Sequence, residues 1–183
     1  MSIVSYVFIA LGLALLALLG YAASRPDEFR VERRLRVAAP AATLWPLVSE
    51  LRPFSRWNPY ERKDPLMKGA YSGAERGVGS RYDWDSQVVG AGSLEIVDQQ
   101  PGQAVRLKLD FIKPFEAHNM AEFALQPLAD GATEVRWRMQ GKASFLSKLM
   151  GVFIDMDRMV GRDFEAGLQN LRELAEGGAG AAP

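Results

Sequence analysis

The residue types that most often carry out catalysis are scarce in this chain. It contains one histidine, His118, and no cysteine among its 183 residues. Cysteine nucleophiles, disulfides, thiolate zinc sites and multi-histidine metal sites are therefore excluded, while a site built from carboxylates stays open. No Gly-x-Ser-x-Gly motif is present, and the glycine-rich segment at residues 73–79, GAERGVG, precedes a predicted strand rather than a helix. Neither a serine triad nor a dinucleotide site fits, and we predict no metal or cofactor.

His118 is the first candidate for acid–base catalysis near neutral pH. If the apolar residues Phe123 and Leu125 of the same predicted strand point inward, His118 points outward, because side chains alternate along a strand. We therefore expect a histidine at the surface or sheet edge. The alternative, a histidine in a pocket, requires a register slip beside Pro114.

Asp155 and Asp157 are the candidates for a carboxylate metal site. Two residues apart on a helix they diverge by about 200°, so they do not chelate one ion together. Asp157 lies at the flank of the apolar stripe of its predicted helix. It either reaches the interior, pairing with Arg81 or Arg33, or forms an ordinary surface ion pair.

The charges balance, with 22 basic and 22 acidic residues. A general nucleic-acid-binding protein needs an excess of lysine and arginine to neutralise phosphates. We predict no nucleic-acid partner.

The start of the chain is apolar enough to cross a membrane. Residues 3–22 carry no charged side chain, and a helix of that length extends about 30 Å, the thickness of the hydrocarbon core of a bilayer. We predict a transmembrane helix over residues 3–23. A cleaved signal peptide is the alternative, but no basic residue precedes the apolar stretch, which is also longer than usual for such a peptide.

Basic residues after this segment predict its orientation. No lysine or arginine precedes it, and five arginines follow: Arg25, Arg30, Arg33, Arg34 and Arg36. The positive-inside rule then predicts a single-pass protein of the cell membrane whose soluble domain is cytoplasmic.

The remainder forms one predicted domain, residues 28–176, followed by a flexible glycine-rich tail at residues 177–183. Apolar and polar residues alternate in seven predicted strands, near residues 29–37, 67–72, 80–85, 94–96, 105–111, 121–125 and 135–139. Arg33 breaks the alternation, so either a bulge is present there or the stem of Arg33 is buried. Such alternation is typical of an antiparallel sheet with one covered face.

The covering element is a predicted helix over residues 144–176. Apolar residues recur there every three or four positions: Phe145, Leu149, Phe153, Met156, Val160, Phe164, Leu168 and Leu171. Ser144 is a suitable N-cap, and Gly177 a suitable terminator. The predicted fold class is α+β, with a seven-stranded antiparallel sheet wrapped around one long C-terminal helix, plus the transmembrane helix.

The predicted order of elements resembles the helix-grip fold of the SRPBCC or START-like superfamily. That order is one strand, two short helices, six strands and a long helix. The matching segments are VERRLRVAAPAATLWPLV at residues 31–48, FSRWNPYE at 54–61, GVGSRYDW at 77–84 and KLMGVFIDMDRMVGRDFEAGLQNLRELAE at 148–176. The resemblance extends over residues 28–176 and is greatest to bacterial proteins of the polyketide cyclase/dehydrase and lipid transport type. Some of these carry an N-terminal membrane helix.

The resemblance implies a cavity between helix and sheet that holds lipids, sterols or polyketides. The ligand-binding residues expected there are Trp57, Asn58, Tyr82, Trp84, Phe111, Asn119, Phe123, Trp137, Phe153, Met156 and Asp157. Asn58 and Asn119 would orient the ligand within apolar walls. The alternative is that the same aromatic side chains simply fill the core.

Three functions are compatible with these residues. The first is a membrane-anchored binding module for a small hydrophobic ligand, which is a lipid, a quinone or a polyketide-like molecule. The second is an enzyme of the cyclase/dehydrase type, and the third a protein-interaction domain such as a co-chaperone. Because the chain offers no convincing acid–base pair, we favour binding over catalysis and name no catalytic residue.

Overall fold

A computed structural model describes residues 2–179 and has seven strands and six helices within them. The strands are β1 (Glu28–Val37), β2 (Lys68–Gly73), β3 (Ser80–Ser86), β4 (Gly90–Gln100), β5 (Ala104–Lys113), β6 (Ala117–Pro127) and β7 (Thr133–Lys142). The helices are α1 (Ile3–Ser24), α2 (Ala41–Ser49), α3 (Leu51–Ser55), α4 (Pro59–Lys63), α5 (Phe145–Met150) and α6 (Met156–Ala179).

All seven strands form one antiparallel sheet in the order β1-β7-β6-β5-β4-β3-β2. Strands β2 to β7 follow one another by short turns, and β1 joins β7 at the far edge. The pairing of β1 with β7 has no register shift, so of the two possibilities at Arg33 a bulge is absent from this pair. Arg33 lies opposite Trp137, and its side chain lies on the concave face. The fold class is the predicted one, an α+β fold with a long C-terminal helix.

Helix α1 stands apart from this core. It is long and apolar enough to cross a membrane, and almost all of its side chains are exposed. Exposure falls mainly at its C-terminal end, where Ala22 is fully buried and Leu18 and Leu19 are partly buried. Helix α1 contacts α5.

Helix α6 packs over β1 and β7 and against α4. Its buried residues are spaced by three or four positions, and they join inward-facing strand residues in the core: Val160, Phe164, Leu168, Leu171 and Ala175. Burial of such a stripe is the main force that holds a helix against a sheet.

The prediction of one continuous helix over residues 144–176 is wrong. Ser144 does cap a helix, accepting a hydrogen bond from the Ser147 amide, but that helix, α5, ends at Met150. The side chain of Asp155 then accepts from the Arg158 amide at 2.9 Å, which starts α6 as a new helix. Between them, Arg25 donates a hydrogen bond to the carbonyl of Gly151.

The C-terminal boundary also differs from the prediction. Gly177 does not terminate the last helix, because α6 continues to Ala179. Residues 180–183 of the predicted tail lie outside the described residues.

Candidate functional site

The concave face of the sheet has a closed half under α6. Trp57, Phe123 and Trp137 lie in mutual contact there, with ring centroids 5.0–5.6 Å apart. Phe54 packs edge-on against Trp57 at 4.9 Å, and Phe164 of α6 stacks on Trp137 at 4.0 Å. The three predicted ligand contacts therefore belong to a filled core, the alternative that the sequence left open.

Polar groups around Trp57 are also engaged within the protein. The indole nitrogen of Trp57 donates to the carbonyl of Leu47 at 2.8 Å. Asn58, a predicted ligand contact, accepts from the amide of Tyr60 at 3.2 Å and so caps α4. Its buried side chain has a structural role at this position.

The other half of the concave face is open. Trp84 and Phe111 meet edge-to-face at 5.8 Å, and both keep part of their surface exposed, as do Leu109 and Phe29. Together with Asn119 these residues form what we call the open groove: Phe29, Trp84, Leu109, Phe111 and Asn119. Trp84 and Phe111 are two of the residues expected to bind ligand, and both lie on this partly exposed apolar surface.

Glycine in β4 makes this pair possible. A Cβ on Gly92 would lie 2.6 Å from the Trp84 ring and 2.3 Å from the carbonyl oxygen of Asp110. The ring of Trp84 thus crosses β4 directly over the glycine to reach Phe111. The signal for this arrangement was a glycine inside a strand, which marks close approach of a neighbouring group.

Asn119 lies at the centre of the floor of the open groove. Its neighbours across the sheet are Leu109 on β5 and Gly141 on β7, and Gly141 in turn pairs with Phe29. The side chain is buried, and its Oδ1 atom has no hydrogen-bond partner among the described residues. An unpaired buried carbonyl is costly, about 1–3 kcal/mol, unless something else supplies a donor. Gly141 makes room for it, because a Cβ there would lie 2.0 Å from Oδ1.

Tyr82 is adjacent to this groove but is already engaged. Its hydroxyl donates to Oε1 of Glu61 at 2.7 Å, and its ring lies over Gly69 and against Tyr71. Burial, aided by the Glu61 hydrogen bond, raises the pKa of Tyr82 well above its ordinary value, so the hydroxyl remains protonated.

Asp157 forms a surface ion pair, the second of the two arrangements considered for it from the sequence. Arg33 donates to Asp157 at 2.9 Å and to Glu165 at 2.7 Å, and both carboxylates are largely exposed. The Arg33 hydrogen bond holds the pKa of Asp157 below its ordinary value. The guanidinium group of Arg33 lies against Gly161, where a Cβ would lie 1.8 Å from Nη2 of Arg33. The structure therefore places Asp157 on the flank of α6 and not in a pocket.

Phe153 and Met156, two more of the residues expected to bind ligand, lie outside the core. Phe153 lies in the break between α5 and α6 with its ring exposed, and Met156 is exposed at the first turn of α6. Both were expected to face the interior because they have the spacing of one face of a continuous helix. The break at residues 151–155 means that they do not belong to one continuous helix, so that spacing no longer predicts the direction of their side chains.

His118 is exposed on the convex face, as its phase predicted. Its Nδ1 lies 2.8 Å from Oδ1 of Asp110 on β5, and Nε2 lies 3.4 Å from Glu116. The hydrogen bond to Asp110 raises the pKa of His118 above 6.5. This pair is on the opposite face of the sheet from the open groove, because His118 and Asn119 are consecutive in β6.

We expect the titration of His118 to report this pair directly. Its imidazole pKa should lie above the ordinary value, and Asp110→Asn should lower it. Because the folded-state pKa is raised, the resulting stabilisation is fully present below pH 6.5 and is lost as the pH rises through the folded-state pKa. The chain has one histidine, so its imidazole NMR signal needs no further assignment. An unchanged pKa in Asp110→Asn would contradict the pairing.

Two surface depressions lie away from these residues. One, of about 510 Å³, is lined by the β4–β5 turn and the ends of β6 and β7, and the other, of about 590 Å³, lies between α2 and the end of α6. Neither is lined by any residue predicted to bind ligand.

The fold has many solved relatives of low sequence identity. A protein from Thermobifida fusca matches with a TM-score of 0.59 and 22% identity, covering 80% of this chain and 92% of the other. The Aha1 dimer from Colwellia psychrerythraea matches with a TM-score of 0.58 and 15% identity, covering 81% and 96%. The protein MLL2253 from Mesorhizobium loti matches with a TM-score of 0.54 and 19% identity, covering 78% and 96%. At these identities the likeness concerns the fold alone.

Sequence comparison is more specific. A search of curated proteins found no match to the chain. The family model described as polyketide cyclase/dehydrase and lipid transport matches residues 28–176, which is the whole domain from β1 to the last turns of α6. That family supports a hydrophobic-ligand-binding domain in general terms. With its seven-stranded sheet, long C-terminal helix and matching sequence, the chain belongs to the polyketide cyclase/dehydrase and lipid transport family.

Proposed function

We propose that the protein is a membrane-anchored binding module that holds a small hydrophobic ligand, such as a lipid, a quinone or a polyketide-like molecule, in the open groove. The observation that carries the proposal is the unpaired Oδ1 of Asn119 beneath partly exposed apolar side chains. A ligand with one hydroxyl or amide donor and an apolar body would satisfy Asn119 and cover Trp84 and Phe111. Such a combination of apolar walls and one orienting polar group is typical of small-molecule sites.

The location proposed here differs from the one expected from the sequence. The ligand lies over β3 to β6, beside α6, because the space beneath α6 is filled by Trp57, Phe123 and Trp137. Of the residues expected to bind ligand, we retain Trp84, Phe111 and Asn119.

The proposal includes α1 as a membrane anchor with the domain on the cytoplasmic side. Its length and apolar composition suit a membrane span, and the basic residues follow it in sequence. An anchored domain stays beside the bilayer, where hydrophobic ligands accumulate. A membrane-impermeant thiol reagent applied to intact cells should leave a Val78→Cys variant unlabelled until the cells are lysed, and labelling before lysis would contradict this orientation.

Photocrosslinking in membranes tests the ligand site. The full chain is reconstituted in vesicles containing a diazirine-bearing fatty acid, irradiated, digested and analysed by mass spectrometry. Crosslinks are expected in α1, which contacts lipid, and in the peptides that carry Trp84 and Phe111. Crosslinks confined to α1 would refute the binding site and leave the anchor intact, whereas their absence from α1 would refute the anchor.

Asn119→Leu separates a binding role from a structural one. Leucine has a similar shape but no carbonyl, so the free energy of unfolding should stay the same or rise by about 1 kcal/mol, as an unpaired buried polar group is removed. Crosslinking at Trp84 and Phe111 by a hydroxyl-bearing photoactivatable lipid should fall, with crosslinking in α1 unchanged as the internal control. A loss of stability together with unchanged crosslinking would show that Asn119 serves the fold.

A further inference from the structure

The strand register gathers several separate segments at one end of the sheet. Glu28 at the start of β1 pairs with Lys142 at the end of β7, and Asn119 near the start of β6 pairs with Gly141. The β5–β6 turn follows Lys113, and the β3–β4 turn joins Ser86 to Gly90. All of these lie at the end from which α1 leaves the domain, and we call it the α1 end.

Exposed apolar side chains are concentrated at the α1 end. They occupy three connections, the end of β5 and the break after α5: Leu66, Val88, Ile112, Phe115, Phe153 and Ile154. At the opposite end, the turns after β2, β4 and β6 read AERGVG, PGQ and LADGA, where Val78 is the exposed large apolar residue. Single exposed apolar residues are ordinary, but a cluster at one end of a domain marks an interaction surface.

Helix α5 lies beside the last turns of α1. At the C-terminal end of α1, the residues with reduced exposure begin at Leu18. Leu18 is six residues before Ser24, the last residue of α1, and this distance is about 9 Å along the helix axis. Interfacial helices lie about 5–10 Å deep, at the boundary between headgroups and acyl chains. With α1 across a bilayer, α5 therefore lies at this boundary, and its exposed Phe145 and Leu146 meet lipid.

Charged groups hold α5 in this position. Lys148 of α5 pairs with Asp27, which follows α1, and Arg25 donates to the carbonyl of Gly151 at the end of α5. The side chain of Lys148 is nearly buried, as expected for a lysine whose stem lies along apolar surface. Lys113 and Glu116, also at the α1 end, are exposed and suit the headgroup region.

From these observations we infer that the α1 end of the domain docks on the lipid bilayer, with α5 and the tips at Val88 and Phe115 inserted into the headgroup boundary. The inference rests on the proposed function, which places α1 in the membrane. The bilayer is the occupant that fits, because the apolar tips continue the apolar surface of α1 and α5. Aromatic and aliphatic side chains at such depth are stabilised by burial of apolar area.

Docking in this orientation connects the ligand site to the membrane. Phe111, Asn119 and Phe29 of the open groove lie at the α1 end of their strands. A hydrophobic molecule would then pass between bilayer and groove without crossing water, where its apolar surface is costly to expose.

Two exposed valines at opposite ends of β3 provide a matched test. Val88 is 65% exposed at the α1 end, and Val78 is 56% exposed at the opposite end. Because the chain has no cysteine, Val88→Cys and Val78→Cys each accept one thiol-reactive NBD fluorophore. The full chain is reconstituted in phosphatidylcholine–phosphatidylglycerol vesicles with or without lipid spin-labelled near the headgroup, and vesicle association is checked by flotation. Phe115→Cys is a second reporter at the α1 end.

We expect spin-labelled lipid to reduce emission about twofold at positions 88 and 115, with no reduction at position 78. If the protein floats with the vesicles but quenching is equal at positions 88 and 78, or is absent at both, the docking is overturned. The proposed membrane anchor is not affected by that result. A blue shift at 88 that depends on the protein-to-lipid ratio without lipid quenching would show that a second copy covers this end, which also overturns it. Protein that fails to float would refute the anchor and the docking together.

Discussion

Trp137→Ala is expected to lower the free energy of unfolding by about 3–5 kcal/mol, the largest loss from any single truncation in this domain. The indole stacks on Phe164 of α6 at 4.0 Å and contacts Phe123 at 5.0 Å and Trp57 at 5.6 Å. Trp137 thus connects Phe164 of α6 with the aromatic core. Its removal leaves a cavity that rigid aromatic neighbours cannot close, and the cost of such cavities rises with their volume.

Urea unfolding of the full chain in mild detergent, followed by circular dichroism of the sheet, measures this effect. Trp84→Ala is the matched control, because it removes the same group from the open groove, where the ring is already partly exposed. We expect the control to lose clearly less stability, since less apolar surface and fewer contacts are removed. Equal losses of unfolding free energy for the two variants would mean that the space beneath α6 is not packed better than the open groove.

Gly167→Ala should destabilise the domain by about 1–3 kcal/mol, although alanine is the better helix former. A Cβ at this position of α6 would lie 2.6 Å from the ring of Trp137 and 2.9 Å from Cδ of Pro59. Neither group can move away readily, because Trp137 is held among aromatic rings and Pro59 is the buried first residue of α4. The helix must therefore shift outward and lose contact with both.

Gly177→Ala is the matched control for that prediction, since it lies in the same helix with nothing within 4 Å of its added Cβ. There the substitution should be neutral or raise stability by about 0.5–1 kcal/mol, from helix propensity alone. In the double variant with Trp137→Ala, the added methyl of Gly167→Ala enters the space left by the indole. The combined loss should then be smaller than the sum of the two single losses, and additive losses would contradict the contact.

The faces of the strands could be predicted from the sequence, and the helix that covers them only in part. Alternation placed Phe123, Trp137 and Leu125 inward and His118 outward, because a strand offers its side chains only two directions. The break in the last helix was missed because the apolar spacing continues through it. At the break, the side chain of Asp155 caps the start of α6, and Arg25 donates a hydrogen bond to the carbonyl of Gly151, which is 126 positions away in sequence.

The sequence by itself determined the fold class, the family and the existence of a long apolar N-terminal helix, because these depend on local spacing and on motifs along the chain. Tertiary structure alone decided which aromatic residues are core and which line a groove. Trp84 and Trp137 have the same inward phase, but α6 packs over β1 and β7, whereas Trp84 of β3 keeps part of its surface exposed. Periodicity reports the face on which a side chain lies, whereas its burial depends on the element packed above it, and that is set by contacts between distant parts of the chain.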